Sequence, residues 1–82
     1  MAGNGPLGAM IAALAKGLVD HPERVEVVEE GGPDARVISL HVADEDLGQV
    51  IGRGGRVARA LRTILRAAST ARGERATLEI VD

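Results

Sequence analysis

The sequence predicts a single α+β domain whose elements run α-β-β-α-α-β and build a three-stranded mixed sheet with three helices on one face. Three observations lead there. Apolar residues recur at helical spacing in two long stretches and alternate with polar residues in three short ones. The turn cluster Gly31-Gly32-Pro33-Asp34 joins the first two strand patterns closely enough to make them an antiparallel hairpin. The path from the second strand to the third passes through two helices, which makes those two strands parallel with a right-handed crossover.

Each element has its own signal. Residues 1–6, MAGNGP, read as a loose start, and residues 7–82 as the one domain. Leu7, Ile11, Leu14 and Leu18, with Met10 and Val19 beside them, form the apolar stripe of a helix over residues 7–19, and Pro22 stops it. Val25 and Val27 alternate with Glu26 in a first strand over residues 24–30. The second strand covers residues 36–43, with Ile38, Leu40 and Val42 on one face and Val37, Ser39 and His41 on the other. A short helix over residues 44–51 is capped by Asp44 or Asp46 and carries Leu47, Val50 and Ile51. Residues 52–55, Gly-Arg-Gly-Gly, break it. A longer helix follows over residues 55–71, with Val57, Ala60, Leu61, Ile64 and Ala68 on its apolar stripe and Arg56, Arg59, Arg62 and Arg66 on nearly the opposite side. Arg72 and Gly73 end it. Residues 76–81 form the last strand, Leu78 and Ile80 inward.

Composition narrows the function. The 82 residues contain no Cys, which excludes disulfides, zinc knuckles and a thiol nucleophile. They contain no Phe, Trp or Tyr, which excludes base-stacking platforms built on aromatic rings. No apolar run is long enough to insert into a membrane, and no signal peptide is evident, so the expected compartment is the cytoplasm. The net charge of −2 is unevenly spread. Residues 1–46 hold nine acids against three bases, whereas residues 47–82 hold seven arginines against three acids. Such asymmetry fits either a polyanion partner on one side or a solvated helix face.

The stretch LGQVIGRGGRVARAL, residues 47–61, carries the chemistry. A G-x-x-G loop between two helices lets backbone come close to a ligand, because glycine has no side chain to block it. The first turn of the following helix adds free N–H groups and the positive end of its dipole. Arg53, inside the loop, adds a forked cationic donor matched to phosphate oxygens.

These residues resemble the signature of the KH domain, whose G-x-x-G loop clamps about four nucleotides of single-stranded nucleic acid. The element order resembles the type II arrangement. The blocks LAKGLVDHPERVEV, VADEDLGQVIGRGGR, ALRTILRAA and LEIVD, spread over residues 10–82, are similar to the small stand-alone bacterial KH proteins of the KhpA family. The resemblance implies a cytoplasmic, non-catalytic protein that binds single-stranded RNA and forms homodimers. It also implies pairing with a larger Jag/KhpB-type KH protein, and a post-transcriptional or RNA-chaperone role in cell shape and division. Carried over by position, Gly52, Arg53, Gly54 and Gly55 form the loop and Arg56 flanks the phosphates. Leu47, Val50 and Ile51 would line a groove in which bases lie against the edge of the second strand. Glycine at position 54 leaves the loop one cation, Arg53, and Gln49 removes a further phosphate contact. Arg59, Arg62 and Arg66 form either a second RNA-contacting face or a solvated one.

Other features read as structural. Gly3, Gly5 and Gly8 match G-x-G-x-x-G, but no strand precedes them and Pro6 interrupts them. His21 and His41 lack a partner at meaningful spacing and read as surface residues. Asp44, Glu45 and Asp46 suit a helix start rather than a metal. No cofactor or metal is expected, and Ser39 and Ser69 lack any catalytic context. A competing reading makes the chain a protein-interaction subunit, with Val28, Val37, Val81 and Leu65 as leftover apolar residues.

Overall fold

The computed structural model describes residues 5–82; of the loose start expected at 1–6, positions 1–4 lie outside the described residues. Helix α1 (Pro6–Leu18) opens on a proline in its first turn, where the missing N–H costs nothing. Pro22–Arg24 then forms one 3-10 turn, so β1 (Glu26–Glu30) starts two residues later than the alternation suggests. Strand β2 (Arg36–His41) is also shorter than expected: Val42 and Ala43 have left the sheet. The expected short helix is two pieces, a 3-10 turn Asp44–Asp46 and α2 (Leu47–Ile51). After a second 3-10 turn at Arg53–Gly55 comes α3 (Arg56–Ala71), and the chain closes with β3 (Ala76–Val81).

The strand order is β1-β2-β3, with β1 antiparallel and β3 parallel to β2. This is the α-β-β-α-α-β order with a three-stranded mixed sheet, as in type II KH domains. Because side chains alternate across a sheet, the rows Val27–Leu40–Ile80 and Ile38–Leu78 face the helices. They pack against Leu7, Ile11 and Ala15 of α1, Val50 of α2, and Leu61 and Leu65 of α3. Burying each large aliphatic chain contributes ~1.5–3 kcal/mol. Two features of the sequence reading change here. Strand β2 is central and bonded along both sides, so it has no edge to offer a ligand. Val42 lies beyond the end of the sheet, although it is half-buried and still packs against the core.

Both long helices dock slightly rotated from their apolar stripes. In α3 the buried residues are Ala58, Leu61, Leu65 and Ser69, whereas Ala60 is exposed and Ile64 is 42% exposed. Leu65, expected to be left over for an interface, is 1% exposed. In α1 the buried residues are Leu7, Gly8, Ile11 and Ala15, whereas Leu18 is 39% exposed. The reason is packing distance. Small residues at Gly8, Ala15, Ala58 and Ser69 let the helix backbones approach the sheet, and bulkier neighbours on the same stripes are displaced sideways.

Polar side chains complete the covered face. Glu29 points toward α1: its Oε2 accepts from the Gly8 N–H at 3.0 Å, and its Oε1 lies 3.3 Å from Arg36 Nη1. Arg36 Nη1 also lies 3.7 Å from Glu74 Oε1, just past α3. The position of Gly8 leaves no room for a Cβ beside the Glu29 carboxylate.

Neighbouring residues 64 and 65 therefore test the docking of α3. Leu65→Ala should destabilise by ~2–5 kcal/mol and Ile64→Ala by less than ~1 kcal/mol, read from urea unfolding midpoints.

Candidate functional site

Helix α2 is five residues long and ends at Gly52, whose N–H bonds back to the Gly48 carbonyl at 2.8 Å. Gly52 then turns the chain with φ +78°. A Cβ at that position would lie 2.7 Å from the backbone nitrogen of Val57 and 2.5 Å from its Cγ2, so only glycine fits. The Gly55 N–H closes the turn onto the Gly52 carbonyl at 3.1 Å. Gly54 and Gly55 also have positive φ, +63° and +80°. Space is open around Gly54, so its constraint is conformational only. Among the described residues, the Arg53 and Gly54 N–H groups have no acceptor within the chain. They sit beside the N-terminus of α3, a helix of 16 residues whose dipole presents its positive end there.

The predicted site residues separate into distinct surroundings. Arg53 and Arg56 are exposed at the loop. Arg59, grouped in the sequence with the helix face, reaches back instead: its Nη1 comes within 3.5 Å of the space beside Gly55. Arg62 and Arg66 border a depression between α3 and β3, with Thr77 and Leu78 on its other wall. Of the three proposed groove residues, Ile51 is 38% exposed and Leu47 is half-buried. Val50 is fully buried and belongs to the core, because the inward side of a single-turn helix must anchor it. On the other flank of α3, Arg56, Val57, Ala60 and Ile64 form an apolar groove with Leu14 and Leu18 of α1.

Spacing gave no hint of the polar anchor behind α2. Asp46 is 1% exposed and makes no helix cap. Its Oδ1 accepts from the Asp20 N–H at 3.2 Å, and its Oδ2 accepts from the His21 N–H at 2.9 Å. His21 Nδ1 lies 3.1 Å from the same Oδ2. Sequence reasoning missed this pair because its members are 25 residues apart and meet only through the fold. The hydrogen bond to Asp46 raises the His21 pKa above its ordinary 6.5, with Glu45 and Glu23 adding to the effect against desolvation. For Asp46, burial pushes the pKa up. The hydrogen bonds from the His21 and Asp20 backbone and the His21 ring outweigh that and hold it below 3.8. His41, expected to be exposed, is half-buried on the open face of the sheet. Among the described residues, no group of three or more His, Cys, Asp or Glu is placed to hold a metal ion.

Comparison with known proteins agrees with the fold. The family model described as KhpA/KhpB, KH domain, matches residues 9–80. The "RNA-binding protein KhpA" of Caldanaerobacter subterraneus is 44% identical over 92% of this chain and 100% of its own length. That of Treponema pallidum is 48% identical over 89% of this chain and 91% of its own. That of Leifsonia xyli is 45% identical over 93% and 97%.

The loop makes unequal demands on its glycines. Gly52→Ala should cost at least ~2 kcal/mol of stability, because strain and overlap with the Val57 backbone act together. Gly54→Ala should cost only ~1 kcal/mol, from the left-handed backbone alone. Urea unfolding of the two variants checks the difference.

Proposed function

The chain belongs to the KhpA/KhpB KH-domain family, and from that premise we propose that it binds single-stranded RNA at residues 52–55. The observation that carries this reading is the turn at Gly52. It leaves the Arg53 and Gly54 N–H groups without partners beside a helix N-terminus, with Arg53, Arg56 and Arg59 around them. Backbone donors and guanidinium forks hold phosphate oxygens without regard to base identity. The role is binding, not catalysis.

Beyond the loop, bases would lie over Ile51 and the exposed part of Leu47. The strand available on the arginine side is β3, at the sheet edge, where Arg62 and Arg66 border the depression beside Thr77. One such site spans few nucleotides, so useful affinity calls for a second KH domain. A cytoplasmic post-transcriptional regulator or RNA chaperone is the role that follows, with an effect on cell shape and division. Among the described residues, no helix is long and apolar enough to cross a membrane.

A second reading rests on a specific observation. The groove of Leu14, Leu18, Val57, Ala60 and Ile64 is almost wholly apolar and open to solvent. It supports homodimerisation, or pairing with a Jag/KhpB-type protein, as the main task of the fold. An Ile64→Arg variant should then sediment as a monomer with unchanged circular dichroism; an unchanged oligomeric mass would exclude this surface.

The RNA clamp is tested with a labelled single-stranded RNA by fluorescence anisotropy at several salt concentrations. Wild-type affinity should fall steeply with salt, and Arg53→Ala should reduce the log–log slope by about 0.7. The double variant Arg53→Asp/Gly54→Asp should lose binding with its helical signal intact. Equal binding by both folded proteins would move the site to Arg62 and Arg66. No binding by wild type at low salt would make the interaction subunit the better account.

A further inference from the structure

We propose that Asp46 is the positioning residue of the glycine loop, docking the start of α2 onto the α1–β1 connection, with the His21 ring as an adjustable arm of that dock. The proposal rests on the reading of residues 52–55 as an RNA clamp.

The argument starts from the length of α2. A helix of five residues has almost no stability of its own, so its direction is set by what holds it from outside. Its side chains provide few holds. Gly48, Gln49 and Ile51 are exposed, and Leu47 is half-buried. Only Val50 is fully buried. With Leu47 packed in part beside it, Val50 gives the helix one apolar hold along a single face, about which the helix can still rock. The second fixed point is the Asp46 carboxylate, immediately before Leu47 and 1% exposed. Both of its oxygens are committed to backbone N–H groups of Asp20 and His21, on the far side of the sequence. The glycine loop is attached directly to the other end of α2, through the Gly52 N–H to the Gly48 carbonyl. Any swing of α2 about Val50 therefore becomes a displacement of the Arg53 and Gly54 N–H groups. Displaced donors would no longer converge on one phosphate.

His21 makes the dock responsive to pH. Its side chain is 40% exposed, so a proton enters and leaves without unfolding the domain. The charged groups bearing on the ring are Asp46 and Glu45 on the 44–46 turn and Glu23 on the 22–24 turn, all acidic. The protonated ring binds Asp46 by charge as well as by hydrogen bond. Because the folded-state pKa is raised, this contribution is complete below 6.5 and is lost as pH rises through the raised value. The Asp46 contribution runs the other way: it is present above 3.8 and is lost as pH falls through the lowered value. The dock is tightest between those limits, and RNA affinity should decline from mildly acidic toward alkaline pH.

The chain has two histidines, which makes the experiment selective. Anisotropy with a labelled single-stranded RNA is followed from about pH 5.5 to 8.5 at fixed ionic strength. Wild type and His41→Gln should both lose affinity as pH rises, whereas His21→Gln should be flat at the weaker value. Asp46→Asn should bind about tenfold more weakly than wild type at pH 5.5, the equivalent of one charge-assisted hydrogen bond, and should show no pH step, with unchanged circular dichroism. In parallel, the backbone amide shifts of Gly52, Gly54 and Gly55, recorded without RNA, should titrate with the His21 ring in wild type and stay fixed in His21→Gln. Loop amides that ignore the titration of His21 would overturn the proposal. So would a folded Asp46→Asn with wild-type affinity, or a pH step that persists in His21→Gln. Loop amides that follow His21 in a protein that binds no RNA would uphold the dock and place the failure in the RNA reading.

Discussion

Strand β2 constrains everything else in this fold. It is hydrogen-bonded to a neighbour on each side, and Ile38 and Leu40 on its inner face are fully buried. With both edges occupied, any extended ligand or partner must turn to β1 or β3. With its inner face covered, the helices must share one side of the sheet. The strand also sets where the glycine loop begins, because the 44–46 turn and α2 follow directly from its C-terminal end.

A chain without aromatic residues fills this core with aliphatic side chains and alanines, which leaves little excess stability in so small a domain. Polar anchors at the two ends of the sheet compensate. At one end, Glu29 holds the N-terminal turn of α1 and, through Arg36, the exit of α3 at Glu74. At the other, Asp46 holds the chain just after α1. Helix α1 is thus tied at both ends by carboxylates from elements that follow it. Each carboxylate accepts backbone N–H groups, which is how a buried charge avoids a net desolvation penalty.

The charge asymmetry of the sequence becomes a division between faces. Strand alternation puts Glu26, Glu30 and Glu79 on the open face with Val28, Val37 and Val81, and no Lys or Arg joins them there. The arginines from Arg53 to Arg75 are all exposed, on the loop, on α3 and in the turn that follows it. A polyanion is therefore repelled from the open face of the sheet and drawn toward the loop. The apolar groove between α1 and α3 lies apart from the open face and reaches the loop at Arg56 and Val57.

Local pattern was sufficient for the element order, the hairpin, the parallel crossover and the loop at residues 52–55. Each depends on signals carried within a few residues: periodicity, turn glycines and a proline stop. Tertiary packing decided the rest. Whether Ile64 or Leu65 faces the sheet is a matter of about 100° of rotation within one broad apolar stripe, and small residues far apart in sequence settled it. Val50 had to enter the core because a one-turn helix needs an inward anchor. Arg59 joined the loop because its side chain turns back along the helix. The bond between His21 and Asp46 spans 25 residues. No spacing rule reaches that far, since such a contact exists only once the sheet has brought both segments to the same end.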